Sequence, residues 1–388
     1  MNVRELSEKY KDEIIALRRE FHENPELSWK EIRTGNRVEE ELKKMGIEVE
    51  RMAKTGVVGI LKGREDGKVV ALRADMDALP VEEANHDLPY KSKNTGVMHA
   101  CGHDSHTAML LVAAKVLSEL KDQIKGTVKF IFQPAEETIQ GAKAMLEEGV
   151  MNGVDAILGI HVWSQLSTGK VSVQSGPRFA AGDRFKITVT GKGSHGAAPH
   201  HGVDAIVAAS AIVSNLQSIV SREIDPLEPA VVSLGTIKGG FNFNVICNEV
   251  VLEGTTRSFN QDIQTRYPSM IRRIIDETAA SFKATAELEY IVGSLSCIND
   301  PEISRIAQHS ITKLYGEEVI AHFEKIMGGE DFAYLNQDVP GIIAFLGGGN
   351  EVKNTTYPHH HEKFNIDEDA LPVGTSLYAQ FALDFLNR

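Results

Sequence analysis

Thr127-Val128-Lys129-Phe130-Ile131-Phe132-Gln133-Pro134-Ala135-Glu136-Glu137 decides how this chain is read. Its first six residues are largely β-branched and aromatic, the composition of a buried strand. The strand stops at Pro134, and two adjacent carboxylates follow. Loops at the carboxyl ends of strands in open α/β sheets are where sites form. Neighbouring side chains there can diverge, one onto a metal and the other over a water. Taken alone, the pair also reads as a solvated acidic turn.

Outward from this stretch, strands and helices alternate. Leu6, Ile14, Leu17 and Phe21 recur at helical spacing and predict a helix over 3–21. A second helix is expected over 34–45, stopping at Gly46. Strands are expected at 57–61, 69–73 and 156–162, and helices at 109–120 and 141–146. That alternation predicts an α/β layer fold with a largely parallel sheet. From about Asp183 the rhythm changes to strand 184–190, helix 204–221, strands 230–237 and 249–257, helix 265–282 and strand 286–292. This is the β-α-β-β-α-β order of a ferredoxin-like unit. After Leu295 the first rhythm resumes, with a helix at 302–315 and a strand at 342–346. The expected organisation is a catalytic domain in two parts, 1–182 and 294–388, with a domain inserted over 183–293.

The chain has 388 residues, more than one core usually organises, so two domains fit its length. Its net charge is −13, which repels nucleic acid. A small anionic substrate remains compatible, because one Arg can act locally in an acidic protein. Three cysteines, Cys101, Cys247 and Cys297, form no disulfide framework. The charged amphipathic start has no signal-peptide core, and no apolar run approaches transmembrane length. The expectation is a cytoplasmic protein with neither a membrane nor a nucleic-acid partner.

Four clusters carry candidate chemistry. Met98-His99-Ala100-Cys101-Gly102-His103-Asp104-Ser105-His106 sets Cys and His two apart beside Gly, able to face one ion from a turn. The helix that follows favours a thiolate at Cys101. The second cluster is Glu136-Glu137. His161 is embedded in an apolar strand between Gly159 and Trp163 and needs a polar partner. Tyr357-Pro358-His359-His360-His361 is the fourth. Each has an ordinary structural reading by itself. Together they supply the donors that two ions require, and thiolate with imidazole favours Zn²⁺-like ions over Mg²⁺.

The chain also resembles the M20 metallopeptidases, in the branch of aminoacylases, hippurate hydrolases, auxin-conjugate hydrolases and related carboxypeptidases. The resemblance runs through Arg19, His22 and Pro25-Glu26-Leu27, then Arg73-Ala74-Asp75-Met76-Asp77-Ala78-Leu79-Pro80 and His99-Ala100-Cys101-Gly102-His103-Asp104. It continues through Gln133-Pro134-Ala135-Glu136-Glu137, Gly159-Ile160-His161-Val162-Trp163, the run from Gly191 to His200, and Gly328-Gly329-Glu330-Asp331-Phe332. It implies an α/β zinc-peptidase-like catalytic domain with an inserted ferredoxin-like lid or dimerisation domain. It implies two divalent ions per subunit, zinc first and manganese or cobalt as alternatives. Their ligands would be Cys101, His103, Glu137, His161 and one late His. The family sets that last ligand four residues before an aromatic, so Phe364 selects His360, with His361 the alternative.

By the same resemblance, Glu136 is the general base on the water and Asp75 a carboxylate that orients a ligand. Other branches carry a metal-binding His where this chain has Arg73, and Cys101 is expected to compensate. His195 contacts the scissile carbonyl, and Asn244 with Arg257 holds the substrate carboxylate. The family pattern continues Asn-Val-Ile with Pro-Asp where this chain has Cys247-Asn248, so a less rigid loop is expected there. The implied reaction is hydrolysis of N-acyl-L-amino acids, with carboxypeptidase action on short peptides as the alternative, in a homodimer or higher oligomer.

Overall fold

The computed structural model describes residues 1–388. Two compact units divide them: Met1–Arg178 with Ile298–Glu324 and Asp331–Arg388, and Phe179–Cys297 with Lys325–Glu330. In chain order the first unit begins with α1 (Val3–Lys9), α2 (Lys11–Glu23), α3 (Ile32–Lys44), β1 (Glu48–Met52), β2 (Gly56–Lys62), β3 (Glu65–Asp75), α4 (His103–Glu119), β4 (Lys125–Gln133), α5 (Gly141–Glu147), β5 (Ala156–Ser167) and β6 (Val171–Ser172). After β7 (Gly176–Phe179) come β8 (Ala181–Thr190), β9 (Ser194–His195), α6 (Ala205–Ser218), β10 (Ala230–Gly239), β11 (Val245–Ile246), β12 (Glu249–Ser258), α7 (Gln261–Ser281) and β13 (Thr285–Ser294). The chain ends with β14 (Cys297–Asn299), α8 (Pro301–Tyr315), α9 (Phe332–Leu335), β15 (Gly341–Gly349) and α10 (Leu371–Leu386).

In the first unit a seven-stranded sheet runs β1-β2-β4-β3-β5-β15-β6. Its four central strands are parallel, while the pairs β1/β2, β2/β4 and β15/β6 are antiparallel. β5 and β15 are buried along almost all their length, as expected of parallel strands covered on both faces. The single helix expected over 3–21 is two helices. Tyr10, at φ −96° and ψ 10°, ends α1 and begins α2. Sequence patterning does not predict α10. Every residue of it except Asp384 is buried, so it lacks the polar face that marks a surface helix.

The second unit is a four-stranded antiparallel sheet, β10-β12-β8-β13, with α6 and α7 packed on one face. Phe185, Ile187 and Val189 of β8 meet Ile212 and Leu216 of α6 and Ile271 and Ile275 of α7 in its core. Arg184, Lys186 and Thr188, on alternate positions of β8, point to the helix-free face. The segment Ala205–Glu223, α6 and the turn beyond it, is long and apolar enough to cross a membrane by length and composition. The sequence reading finds no such run. Here its Ala208, Ile212 and Leu216 stripe lies in the core of this unit.

Candidate metal centre

The parallel strands end where the candidate residues begin. β4 stops at Gln133, and Pro134 cannot extend the ladder. Ala135 then adopts a left-handed φ of 51°, a costly state for a residue with a Cβ. Two buried carboxylates hold that turn. Glu31 accepts from the Ala135 N–H at 2.9 Å, and Asp77 accepts from the N–H groups of Glu136 at 3.0 Å and Glu137 at 3.1 Å. Neither Glu31 nor Asp77 was singled out by sequence. The signal for Asp77 is its place two residues after Asp75 at the end of β3.

α4 begins at His103, after Gly102 at φ 90°. A Cβ on Gly102 would stand 2.2 Å from Val162 Cγ2, so only glycine lets this turn approach β5. His103 donates Nδ1–H to the Asp77 carbonyl at 2.9 Å, which leaves its buried Nε2 with no hydrogen bond, facing the carboxylates of Asp75 at 3.6 Å and Glu137 at 3.9 Å. One turn on, His106 Nε2 accepts from the Val162 N–H at 2.8 Å. Its Nδ1 therefore carries the proton and donates to Asp75 at 2.6 Å. Asp75 also accepts from Arg73 Nη1 at 2.7 Å. Asp75 thus meets the cluster twice, through its hydrogen bond to His106 and directly with Oδ2 3.6 Å from His103 Nε2, while the Asp77 carbonyl orients His103. His106 too was passed over by sequence, although its i, i+3 spacing from His103 puts both on one helix face.

Cys101, His103 and His161 bring their ligand atoms together, and so do Cys101, Glu137 and His360; within each group these atoms lie within 4.8 Å of one another. The two groups share Cys101. His161 Nε2 is 3.6 Å from Cys101 Sγ, while its Nδ1 donates to the Val162 carbonyl at 2.8 Å. Of the late triplet, His359 donates Nε2–H to the Val162 carbonyl at 3.0 Å, and His361 stacks on Tyr357. His360 places Nε2 3.5 Å from Glu137 Oε2, on a left-handed backbone of φ 65°. Glu136 Oε2 lies 4.0 Å from His103 Nε2.

His103 Nε2 and Glu137 Oε1 are buried atoms with no hydrogen-bond partner. Groups so placed are costly unless something satisfies them. Burial pushes the Glu137 carboxyl up to about 7. Burial opposes a charge on His103, but Asp75, Asp77 and Glu137 outweigh it and hold the imidazole up at about 10. Burial, with His106 and His359, holds His161 far below its ordinary value, in the neutral state that binds metals. The carboxylates of Asp75, Asp77 and Glu137 around His103 make that side of the cluster attractive to added positive charge. Sulfur, imidazole and carboxylate donors around His103 Nε2 and Glu137 Oε1 fit divalent metal ions.

The remaining candidates lie in the second unit. His195 on β9 pairs with Val245 on β11. Its Nδ1 accepts from the Ala197 N–H at 3.0 Å, so the exposed Nε2 carries the proton as a donor. The Asn244 carbonyl accepts from the Gly196 N–H at 2.7 Å. Arg257 on β12 faces Gly182 on β8, and its guanidinium lies over that glycine with no hydrogen bond or ion pair. A Cβ on Gly182 would stand 1.6 Å from Arg257 Nη1. His195 and Asn244 sit beyond the start of the ten-residue β12, and Arg257 sits near its end. At ~3.3 Å per residue, Glu249 and Arg257 are about 26 Å apart along the strand. Within one chain, Asn244 joins His195 and not Arg257.

Residues 71–384 match peptidase family M20/M25/M40. The chain belongs to that family. This M20 chain is 44% identical over 382 residues to thermostable carboxypeptidase 2 of Saccharolobus solfataricus, covering 97% of this chain and 96% of that one. It is 42% identical over 372 residues to N-acetylcysteine deacetylase of Bacillus subtilis, covering 95% and 96%. Its structure aligns at a TM-score of 0.87 with a dinuclear metal-binding M20 peptidase from Bacillus subtilis, 38% identical, over 98% of this chain and 99% of that one. The M20 chain is a metal-dependent amidohydrolase/peptidase with an α/β fold.

Proposed function

We propose that this enzyme hydrolyses the amide bond of N-acyl-L-amino acids, with Glu136 as general base. The observation that carries the reading is the pair of donor groups sharing Cys101, with a further carboxylate, Glu136, beside them. Cys101, His103 and His161 would hold one ion, and Cys101, Glu137 and His360 the other. Sulfur and imidazole donors favour zinc, with manganese or cobalt as alternatives. When bound, the ions supply an acidified water and a polarised amide carbonyl. Glu136 takes the water's proton and returns it to the departing amine. The exposed Nε2–H of His195 donates to the developing oxyanion. Asp75 is a positioning residue, fixing His106 and through it the Val162 backbone beside His161.

Arg257 reads the substrate carboxylate, and its partnerless guanidinium over Gly182 supports that role. Asn244 cannot meet the same carboxylate from the same chain. The assembly that keeps both roles is a homodimer in which His195 and Asn244 serve the partner's site. Co-assembling His195→Ala with Glu136→Gln tests it. Trans action returns activity in the mixed dimer, whereas closure of the small unit over its own site returns none. Three free, buried cysteines support a cytoplasmic setting.

Carboxypeptidase action on short peptides is the second reading, favoured by the 44% identity to a thermostable carboxypeptidase. Assaying N-acetyl amino acids, N-benzoyl amino acids and dipeptides side by side on metal-loaded protein decides between them. Turnover confined to dipeptides would overturn the first.

A further inference from the structure

β9 and β11, which carry His195 and flank Asn244, are two residues each. A ribbon so short does not hold its own geometry. The loop leading into it gains nothing from apolar burial, since Phe241 is 79% and Phe243 98% exposed. The anchor lies immediately after the ribbon, at Cys247. That residue is 1% exposed and belongs to the core of the second unit. Its Sγ accepts from the Gly240 N–H at 3.1 Å and donates to the Glu249 carbonyl at 2.9 Å. Its carbonyl accepts from the N–H of Ala205, the first residue of α6, at 3.1 Å. The next carbonyl, of Asn248, accepts from the Gly191 N–H at 2.8 Å, where the chain leaves β8.

We propose that Cys247 is a positioning residue for the reaction, its thiol fixing where His195 and Asn244 stand. This rests on the roles given to those two residues above. One side chain ties the exit of β10 to the entry of β12, and its backbone ties both to the start of α6. The thiol does this by using donor and acceptor at once. Core packing alone does not need either bond, because a hydrophobe of similar size fills the same space. Loss of both bonds frees the 240–247 loop, and the ribbon shifts with it. Displacement of a catalytic donor by about 1 Å costs roughly 10²-fold in rate.

The test uses full-length, metal-loaded protein carrying Cys247→Val, Cys247→Ala, Cys247→Ser, His195→Ala, or Cys247→Val with His195→Ala. Valine keeps the bulk and loses both hydrogen bonds, alanine controls for a packing fault in valine, and serine keeps a donor and an acceptor. The expected result is a fall in kcat of roughly 10- to 100-fold for valine and alanine, with substantial rescue by serine. Bound metal stays at the wild-type level in all three. The double variant has a kcat no lower than that of His195→Ala, because the kcat effect of Cys247 runs through that residue, whereas Asn244, which binds the substrate carboxylate, is read in KM. Hydrogen–deuterium exchange at 194–196 and 244–246 rises in the valine variant and returns in the serine one. Unchanged exchange, or a kcat loss that multiplies with that of His195→Ala, overturns the proposal. A wild-type kcat in His195→Ala refutes the role given to His195 instead, and the exchange data still decide whether Cys247 clamps the ribbon.

Discussion

Glu136 and Glu137 are chain neighbours anchored on the same Asp77, and they are expected to respond differently to amide substitution. Glu136→Gln should retain both ions and lose roughly 10²-fold or more in kcat, as when an acid–base group is removed. Glu137→Gln should lose an ion, read by metal analysis of the dialysed protein; the reverse pattern would exchange their roles. A second residue-scale prediction concerns Arg18, which donates to Asp104 at 2.9 Å in a fully buried pair. Burial alone would raise the Asp104 carboxyl, but Arg18 and His22 hold it far below the ordinary range. A depressed carboxylate stabilises the fold above the unfolded pKa of about 3.9, and that stability is lost as pH falls below it. Arg18→Met leaves a buried carboxylate without its main partner and should cost about 3–5 kcal/mol at pH 7. The deficit should shrink as pH falls and Asp104 takes up a proton, measured by urea unfolding at several pH values. The clusters holding Cys101, His103, Glu136, Glu137, His161 and His360 were legible as candidates from their residue types, while their roles, and the choice of His360 within its triplet, came from the M20 resemblance. Asp77, Glu31 and His106 were not legible, because each acts through backbone groups or another side chain and leaves no distinctive spacing.

At the scale of elements, amphipathic helices, apolar strands and the second half of the buried α4 were legible, whereas the buried α10 was not. α10 is buried at every position but the part-buried Asp384, so no polar face marks its period. The break at Tyr10 was hidden too, because apolar spacing carries on across α1 and α2. The loop at Cys247-Asn248, expected to be less rigid, carries two thiol hydrogen bonds that have no sequence signature. β8 and β12 show how an element prepares a side chain, since Gly182 is the seat of Arg257. Gly182→Ala should displace the guanidinium and raise KM for N-acyl amino acids toward that of Arg257→Ala, a loss of about 1.5–3 kcal/mol. Wild-type KM in Gly182→Ala would show that the seat is not needed. Equal efficiency of the unmodified enzyme on an N-acyl amino acid and on its amide would remove the carboxylate role altogether.

For the whole molecule, the β-α-β-β-α-β order was readable because the long elements of the second unit are apolar runs separated by polar, Gly- and Pro-containing turns. The short segment Lys325–Glu330, which also belongs to that unit, was not readable, since no periodic run marks it. A chelator should abolish activity, and Zn²⁺, Mn²⁺ or Co²⁺ should restore it; full turnover in metal-free protein would refute the metal reading. Cys101→Ala should empty both positions together, because both donor groups include that sulfur. The placement of Asn244 and Arg257 at opposite ends of one strand has a genetic consequence on the proposed dimer. Two alleles, one defective at His195 and the other at Arg257, would complement each other. Equal co-expression makes half the dimers mixed, and each mixed dimer restores one of its two sites, so about a quarter of all sites would work. Neither allele alone would support growth on an N-acyl amino acid as sole source of that amino acid, whereas a cell carrying both would grow.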